Sequence, residues 1–262
     1  HRSDEREIGK NNTTNYLTNS IGLQTYISNV ESTINFIKSK KRSAKNIKIS
    51  FDEYQPWYHS IKKMNTHLNS NIKDWPKAYP ILEEEYNLLD CLLVGTVINT
   101  FINNSHIVKI ACMAQLVNVI PAISTVKNGI SWRQSVYYPL YFASLYGRGQ
   151  SLQLKINSPK YSSDIADDVN YIDASAVINE EEKTLSFFII NRSEEERVDL
   201  DFDINNLPII KIIDQQIINH TNIYASNTIN EPNEIVPKKT NIATFQNENL
   251  MAKIPKLSYL FI

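Results

Sequence analysis

The sequence predicts an α/β segment followed by an all-β module. Three observations carry this. From Ile21 apolar side chains recur at helical spacing and then give way to an alternating strand at residues 46–52. A second helix-and-strand pairing follows at residues 83–113. After Gly149 the helical period disappears, and short alternating segments separated by turns replace it.

Taken in order, residues 1–20 are polar, with the run Asn11-Asn12-Thr13-Thr14-Asn15, and read as a loop. Tyr26, Ile27, Val30, Ile34 and Ile37 then mark a helix. Lys38, Lys40, Lys41 and Arg42 crowd its end, where cations oppose the negative pole of the helix dipole. Ile47, Ile49 and Phe51 alternate with Lys48 and Ser50 in a strand ending at Asp52. Tyr54 to Pro80 holds three prolines and three tyrosines together with Trp57 and Trp75, and sustains no period. It reads as a long loop, and such loops in compact domains tend to be functional. Glu83–Ile102 reads as a helix with Leu88, Leu89, Leu92, Leu93 and Val97 apolar and Glu83 to Glu85 in its first turn. Lys109–Met113 reads as a second strand, and Ser135–Tyr146 as a helix ended by Gly147 and Gly149.

The β module is expected to place strands at Tyr171–Ile178, Thr184–Asn191, Arg197–Phe202, Ile209–Ile213, Ala243–Phe245 and Lys256–Ile262. That spacing suits a sandwich. The boundary between the two parts falls within residues 147–160. Two β/α units cannot close a barrel, which needs eight. The α/β segment is therefore expected to be a piece of something larger, or to pair with another chain.

Composition narrows the function classes. Of 262 residues 42% are hydrophobic and 21% charged, ordinary for a globular chain. A net charge of -1 gives no field that would recruit nucleic acid or an anionic membrane. Apolar runs such as Leu92 to Val94 are far too short to span a bilayer. Cys91 and Cys112 sit in apolar stretches and read as buried free thiols, not a disulfide framework. The five His residues show no paired ligand spacing, and no Gly-rich phosphate loop or GxSxG elbow occurs, so no metal or cofactor is expected. The chain opens at His1 with neither Met nor signal segment, so processing or truncation enters the reading. Localisation stays open on this evidence, with the cytoplasm slightly favoured over secretion.

One segment is rich in chemistry. Ile47 to His59 is an apolar strand ending in two carboxylates, Asp52 and Glu53, and running into Tyr54, Trp57 and Tyr58. Barrel enzymes place catalytic groups at the C-terminal ends of strands. A carboxylate beside aromatic faces offers a sugar a nucleophile or base and a stacking platform. The residues alone leave a plainer reading open, in which Asp52 and Glu53 open a solvated loop.

The segment Ile49-Ser50-Phe51-Asp52-Glu53-Tyr54-Gln55-Pro56-Trp57-Tyr58 resembles the nucleophile segment of family 51 glycoside hydrolases, the α-L-arabinofuranosidases. Leu92 to Gly95 and Val108 to Ile120 resemble a second family block, and Trp132-Arg133-Gln134 and Tyr146 to Gly149 the stretch after it. Tyr171 to Ala174 and Asn191-Arg192-Ser193 resemble parts of the family's β-sandwich. These matches run in order over nearly the whole chain. The resemblance implies the last two β/α units, strands 7 and 8, of a TIM-type (β/α)8 barrel in residues 1–149. It implies a jelly-roll-like β-sandwich in residues 150–262.

The same resemblance implies roles. Glu53 matches the catalytic nucleophile, Trp57 an aromatic lining the leaving-group side, and Gln115 a polar contact to bound arabinose. Asp52, Asn118 and Arg133 match positions assigned to supporting structure. The sequence departs from the family at Tyr54, Gln55 and Pro56, which replace Trp, Asn and Val. It departs again at Ser3-Asp4-Glu5, where the family carries a substrate-contacting Tyr. The implied reaction is retaining hydrolysis of terminal α-L-arabinofuranosyl groups from arabinan or arabinoxylan oligosaccharides, which needs two carboxyls about 5–5.5 Å apart. The family's acid/base follows an Asn well before the nucleophile. The pairs Asn179-Glu180, Asn230-Glu231 and Asn233-Glu234 lie after it in turn-like contexts and are rejected for that role.

The chain is therefore expected to be a fragment with nucleophile but no acid/base, inactive alone. Two alternatives are a noncatalytic carbohydrate-binding or structural β-sandwich protein with a relic barrel segment, and a subunit that completes a barrel with a partner chain. Family members are often hexamers, so a homo-oligomer is among the implied partners.

Overall fold

A computed structural model describes residues 12–58, 82–126, 128–204, 207, 211–246 and 249–262. The first helix, α1, spans Thr13–Lys40. Asn12 caps it, accepting from the Asn15 N–H at 2.9 Å. The loop expected up to residue 20 is thus corrected over 13–20. Tyr16 and Leu17, both fully buried, draw that stretch into the core, and burial outweighs a polar local sequence. Residues 1–11, including Ser3-Asp4-Glu5, lie outside the described residues.

Strands β1 (Ile49–Tyr54) and β2 (Val108–Met113) are parallel neighbours, with helix α2 (Leu88–Asn103) between them in the chain. A parallel pair needs such a crossover. Ile49, Phe51 and Tyr54 pack beside Ile27, Phe101 and Val108. The register contains a bulge: Phe51 pairs with Ala111, but Tyr54 pairs with Met113. The extra residue on β1 turns Phe51 and Tyr54 to the same side, with ring centroids 4.9 and 5.1 Å from that of Phe101. Asp52 and Glu53 are left exposed. Much of the aromatic loop expected after β1 (residues 59–81) lies outside the described residues.

Helix α2 starts later than its sequence suggests. Asn87 is the N-cap, and a reciprocal capping box with Asp90 fixes the start, so Glu83 to Glu85 precede the first turn. Next come the hairpin β3 (Ile123–Thr125) and β4 (Ser131–Arg133), then helix α3 (Tyr137–Tyr146).

The remaining chain is β structure. Its strands are β5 (Gln150–Leu152), β6 (Lys160–Tyr161), β7 (Val169–Asn170), β8 (Ile172–Asn179), β9 (Thr184–Asn191), β10 (Val198–Phe202), β11 (Gln216–Ile218), β12 (Lys238–Lys239), β13 (Ala243–Gln246), β14 (Asn249–Ile254) and β15 (Ser258–Phe261). A six-stranded sheet runs in the order β12-β11-β15-β9-β8-β5, and a three-stranded one in the order β10-β14-β13, all antiparallel. The central strands are buried on both faces. Phe188, Ile190, Tyr259 and Phe261 pack with Leu88, Leu92 and Phe142 of the helices. Their neighbours Phe187, Ile189, Leu260 and Ile262 pack with Val198, Leu250 and Ala252 of the smaller sheet. Helices, large sheet and small sheet thus form three layers.

Two expectations are corrected here. Residues 211–213 of the proposed Ile209–Ile213 strand are irregular, and residues 208–210 lie outside the described residues. The strand forms instead at Gln216–Ile218, where β15 offers a pairing edge. Cys91 is buried as expected, but Cys112 is exposed on β2, because nothing among the described residues covers that side of the strand pair. Both thiols are free.

Candidate active site

The bulge presents Glu53 at the C-terminal end of β1 with its carboxylate exposed. Beside it, the Ser50 hydroxyl donates to Asp52 Oδ1 at 3.1 Å, giving Asp52 a local structural partner. The neighbouring strand ends level with this point: the Ala114 N–H donates to the Tyr54 carbonyl at 3.4 Å. Gln115 follows immediately, exposed, after a cis Ala114–Gln115 peptide bond. Glu53 and Gln115 therefore come to one end of the parallel pair, although 62 positions apart by their numbering (115 minus 53).

Trp57 leaves the same strand end and is 41% exposed. Its indole N–H donates to Glu83 Oε2 at 3.0 Å. The residues around it are clamped from one segment. The Tyr58 N–H donates to Glu84 Oε1 at 2.6 Å, and the Tyr86 hydroxyl donates to the Pro56 carbonyl at 2.7 Å. The Tyr58 hydroxyl donates to Asp90 Oδ2 at 2.6 Å, and the Tyr16 hydroxyl donates to Asp90 Oδ1. Burial, then the Asp90 charge, pushes the Tyr58 hydroxyl well above its ordinary value, so it stays a donor. Burial pushes Asp90 up to about 6, against the pull of its hydroxyl and backbone donors. No pattern in the sequence signals this clamp. Glu83 and Glu84 read as helix-capping acids, and their partners Trp57 and Tyr58 each lie 26 positions earlier.

The positions expected to support structure make local contacts. The Asn118 side chain bonds the Thr125 N–H at 2.8 Å and hydroxyl at 2.9 Å, pinning a turn in which Asn118 has φ 56. The Arg133 guanidinium lies 5.1 Å from the Tyr137 ring centroid. The rejected Asn-Glu pairs are in turns: Asn179 Oδ1 accepts from the N–H groups of Glu181 and Glu182, and Glu234 meets His220 at 2.9 Å. A cavity of about 580 Å³ opens at one end of the sandwich, lined by Tyr146, Leu185, Phe187 and Phe261, and no residue of β1 or β2 borders it. The strand ends offer the better chemistry, since a carboxylate, an amide and an indole gather there.

Comparisons with known proteins bear on the family and the fold. A family model described as the α-L-arabinofuranosidase C-terminal domain matches residues 52–258. The chain is 39% identical to intracellular exo-α-(1→5)-L-arabinofuranosidase 1 of Bacillus subtilis over 95% of its own length and 48% of that protein's. It is 37% identical to an intracellular exo-α-(1→5)-L-arabinofuranosidase of Halalkalibacterium halodurans over 94% and 48%. The chain thus spans about half the length of these curated relatives. Among solved structures it resembles a family 51 α-L-arabinofuranosidase from Bifidobacterium longum with TM-score 0.88 and 26% identity, covering 98% of this chain and 51% of that one. A family 51 arabinofuranosidase from Xanthomonas axonopodis shares the fold at TM-score 0.75 and 19% identity, over 94% of this chain and 46% of that one. Sequence, fold and family model together make this chain a member of the α-L-arabinofuranosidase C-terminal domain family, the C-terminal portion of family 51 glycoside hydrolases.

Proposed function

We propose that this chain carries the nucleophile, Glu53, of a retaining exo-acting α-L-arabinofuranosidase that releases arabinose from α-(1→5)-linked arabino-oligosaccharides. One observation carries the assignment: a bulge turns the Glu53 carboxylate outward at the C-terminal end of a parallel strand, level with Gln115 and next to Trp57. In this reading β1 and β2 are strands 7 and 8 of a (β/α)8 barrel in residues 1–149. Residues 150–262 form its jelly-roll-like sandwich. The α-(1→5) linkage and an intracellular setting come from the relatives' descriptions.

Glu53 attacks the anomeric carbon and forms a glycosyl-enzyme. A second carboxyl protonates the departing oxygen and then activates water. That acid/base belongs to the half of the enzyme that the relatives have and this chain does not span. Gln115 bonds arabinose hydroxyls, and Trp57 stacks against the leaving sugar. Neither step calls for a metal or cofactor. A homo-oligomer, a hexamer as in many family members, is the proposed assembly.

In the complete enzyme, Glu53→Gln is expected to lower turnover of an aryl α-L-arabinofuranoside by several orders of magnitude. Near-normal turnover in that variant would sink the assignment. The isolated 262-residue chain is expected to release no arabinose. Substantial release from it would show that the acid/base lies within this chain.

A further inference from the structure

We infer that Gln134 is a positioning residue for the proposed reaction, its buried amide tying the loop that follows Glu53 to the segment that carries Gln115. This rests on the function proposed above and extends it to a residue to which the family resemblance assigns no role.

Gln134 lies just after β4 and is buried. Its side chain bonds in two directions. The Tyr86 N–H donates to Gln134 Oε1 at 3.1 Å, and Gln134 Nε2 donates to Ser124 Oγ at 2.8 Å. A backbone N–H can only donate, so the amide oxygen must face Tyr86 and the amide nitrogen Ser124. On the first side, the Tyr86 hydroxyl donates to the Pro56 carbonyl at 2.7 Å, and Pro56 follows Glu53 in the loop leaving β1. Burial pushes that hydroxyl well above its ordinary value, so it stays a donor. On the second side, Ser124 belongs to β3. The neighbouring Ile123 N–H donates to the Leu116 carbonyl at 2.8 Å, and the Asn118 N–H donates to the Ile123 carbonyl at 3.0 Å. Leu116 is joined directly to Gln115. Tyr86 and Ser124 are fully buried, which shields both amide bonds from competing solvent. Gln134 is anchored in turn: its N–H donates to the Ala122 carbonyl at 2.9 Å, and its carbonyl accepts from the Tyr137 N–H at 3.1 Å. The β module braces the same corner. Buried Asn227 donates through Nδ2 to the Arg133 carbonyl at 2.8 Å, and its carbonyl accepts from the Trp132 indole at 2.9 Å. One amide thus sets the spacing between the attacking carboxylate and the arabinose contact, where misplacement by about 1 Å can cost about 100-fold in rate.

The test is kinetic, in the complete enzyme with an aryl α-L-arabinofuranoside, well below the unfolding midpoint of every variant. Gln134→Met keeps the length of the side chain and removes both bonds. It is expected to lower kcat about tenfold, with KM changed much less. Tyr86→Phe removes the bond to the Pro56 carbonyl and should lower kcat too. Adding Tyr86→Phe to Gln134→Met should cost little more, since both cut one relay. A parental kcat in Gln134→Met with only a lower thermal midpoint overturns the inference, because Gln134 would then serve the fold and not the site. Fully additive losses overturn it as well. If Gln134→Met does not fold, Ser124→Ala, which removes the acceptor of the amide nitrogen, takes its place: a lowered kcat supports the inference and a parental kcat overturns it. Failure of the underlying function is a separate result: there the parent enzyme would not hydrolyse the arabinofuranoside, or Glu53→Gln would stay active.

Discussion

Asp90 is fully buried, yet three donors converge on it: the Tyr16 hydroxyl, the Tyr58 hydroxyl at 2.6 Å and the Asn87 N–H at 2.8 Å. Desolvation outweighs them, and the carboxyl titrates at about 6 instead of 3.8. A carboxyl with a raised folded pKa keeps a proton that the unfolded chain has released. Its stabilising contribution is complete below the unfolded value and is lost as pH rises through about 6. The shift corresponds to about 3 kcal/mol. Above that pH the ionised Asp90 grips Tyr58 more tightly through charge-assisted bonds, at a cost to global stability. Asp90→Asn cannot ionise. Its unfolding free energy relative to the parent is expected to improve by about 2 kcal/mol between pH 4 and pH 7, measured by urea denaturation. A difference that stays flat across that range would show that Asp90 does not titrate in this window.

Helix α2 joins the site to the sandwich, and Gly95 sets how closely it lies on the sheet. A Cβ there would stand 3.0 Å from Tyr259 Cδ2 and 3.2 Å from Ile190 Cδ1. Gly95→Ala gains about 1 kcal/mol of helix propensity and loses a similar amount to crowding, so its net effect should be small. Gly95→Leu has far more volume to place and is expected to destabilise by about 1–3 kcal/mol, read as a lower thermal midpoint. Wild-type stability in that variant would mean α2 can lift from the sheet freely. The same packing explains which elements the sequence revealed. Strand β9 spans the expected Thr184–Asn191, and β2 and β8 fall within one residue of expectation, because apolar runs between clear turns leave little choice. The starts of α1 and α2 were hidden, since both depend on Asn caps and on burial of Tyr16 and Leu88 by distant partners. Ile209–Ile213 had the composition of a strand, but the edge of β15 is met by Gln216–Ile218. At the site, Glu53 and Trp57 could be read as a strand end entering an aromatic loop. Glu83 could not, because its bond to Trp57 spans 26 positions and depends on how the intervening chain returns.

At the scale of the whole molecule, the sandwich and the strand pair differ in completeness. The large sheet is covered on both faces. The β1–β2 pair is covered at Phe51 of β1, whose partner on β2 is Ala111, itself exposed. Ile110 and Cys112 flank Ala111 and so point to the other side, where Ile110 is 54% exposed and Cys112 is exposed too. Leu116 and Val117, just beyond, are 53% and 49% exposed. Parallel sheets are stable when both faces are covered, and in the proposed barrel this open side faces the interior. Cys112 therefore reports on completion. Its thiol should react quickly with a maleimide in the isolated chain. In the complete enzyme, where barrel strands enclose that face, labelling should slow by orders of magnitude. Cys91 supplies the internal control: it is fully buried, and burial pushes its thiol well above the ordinary range, so it should label slowly in both. Equal labelling of Cys112 in the two proteins would mean its side of β2 stays open to solvent in the complete enzyme, and the barrel reading of β1 and β2 would fall with it.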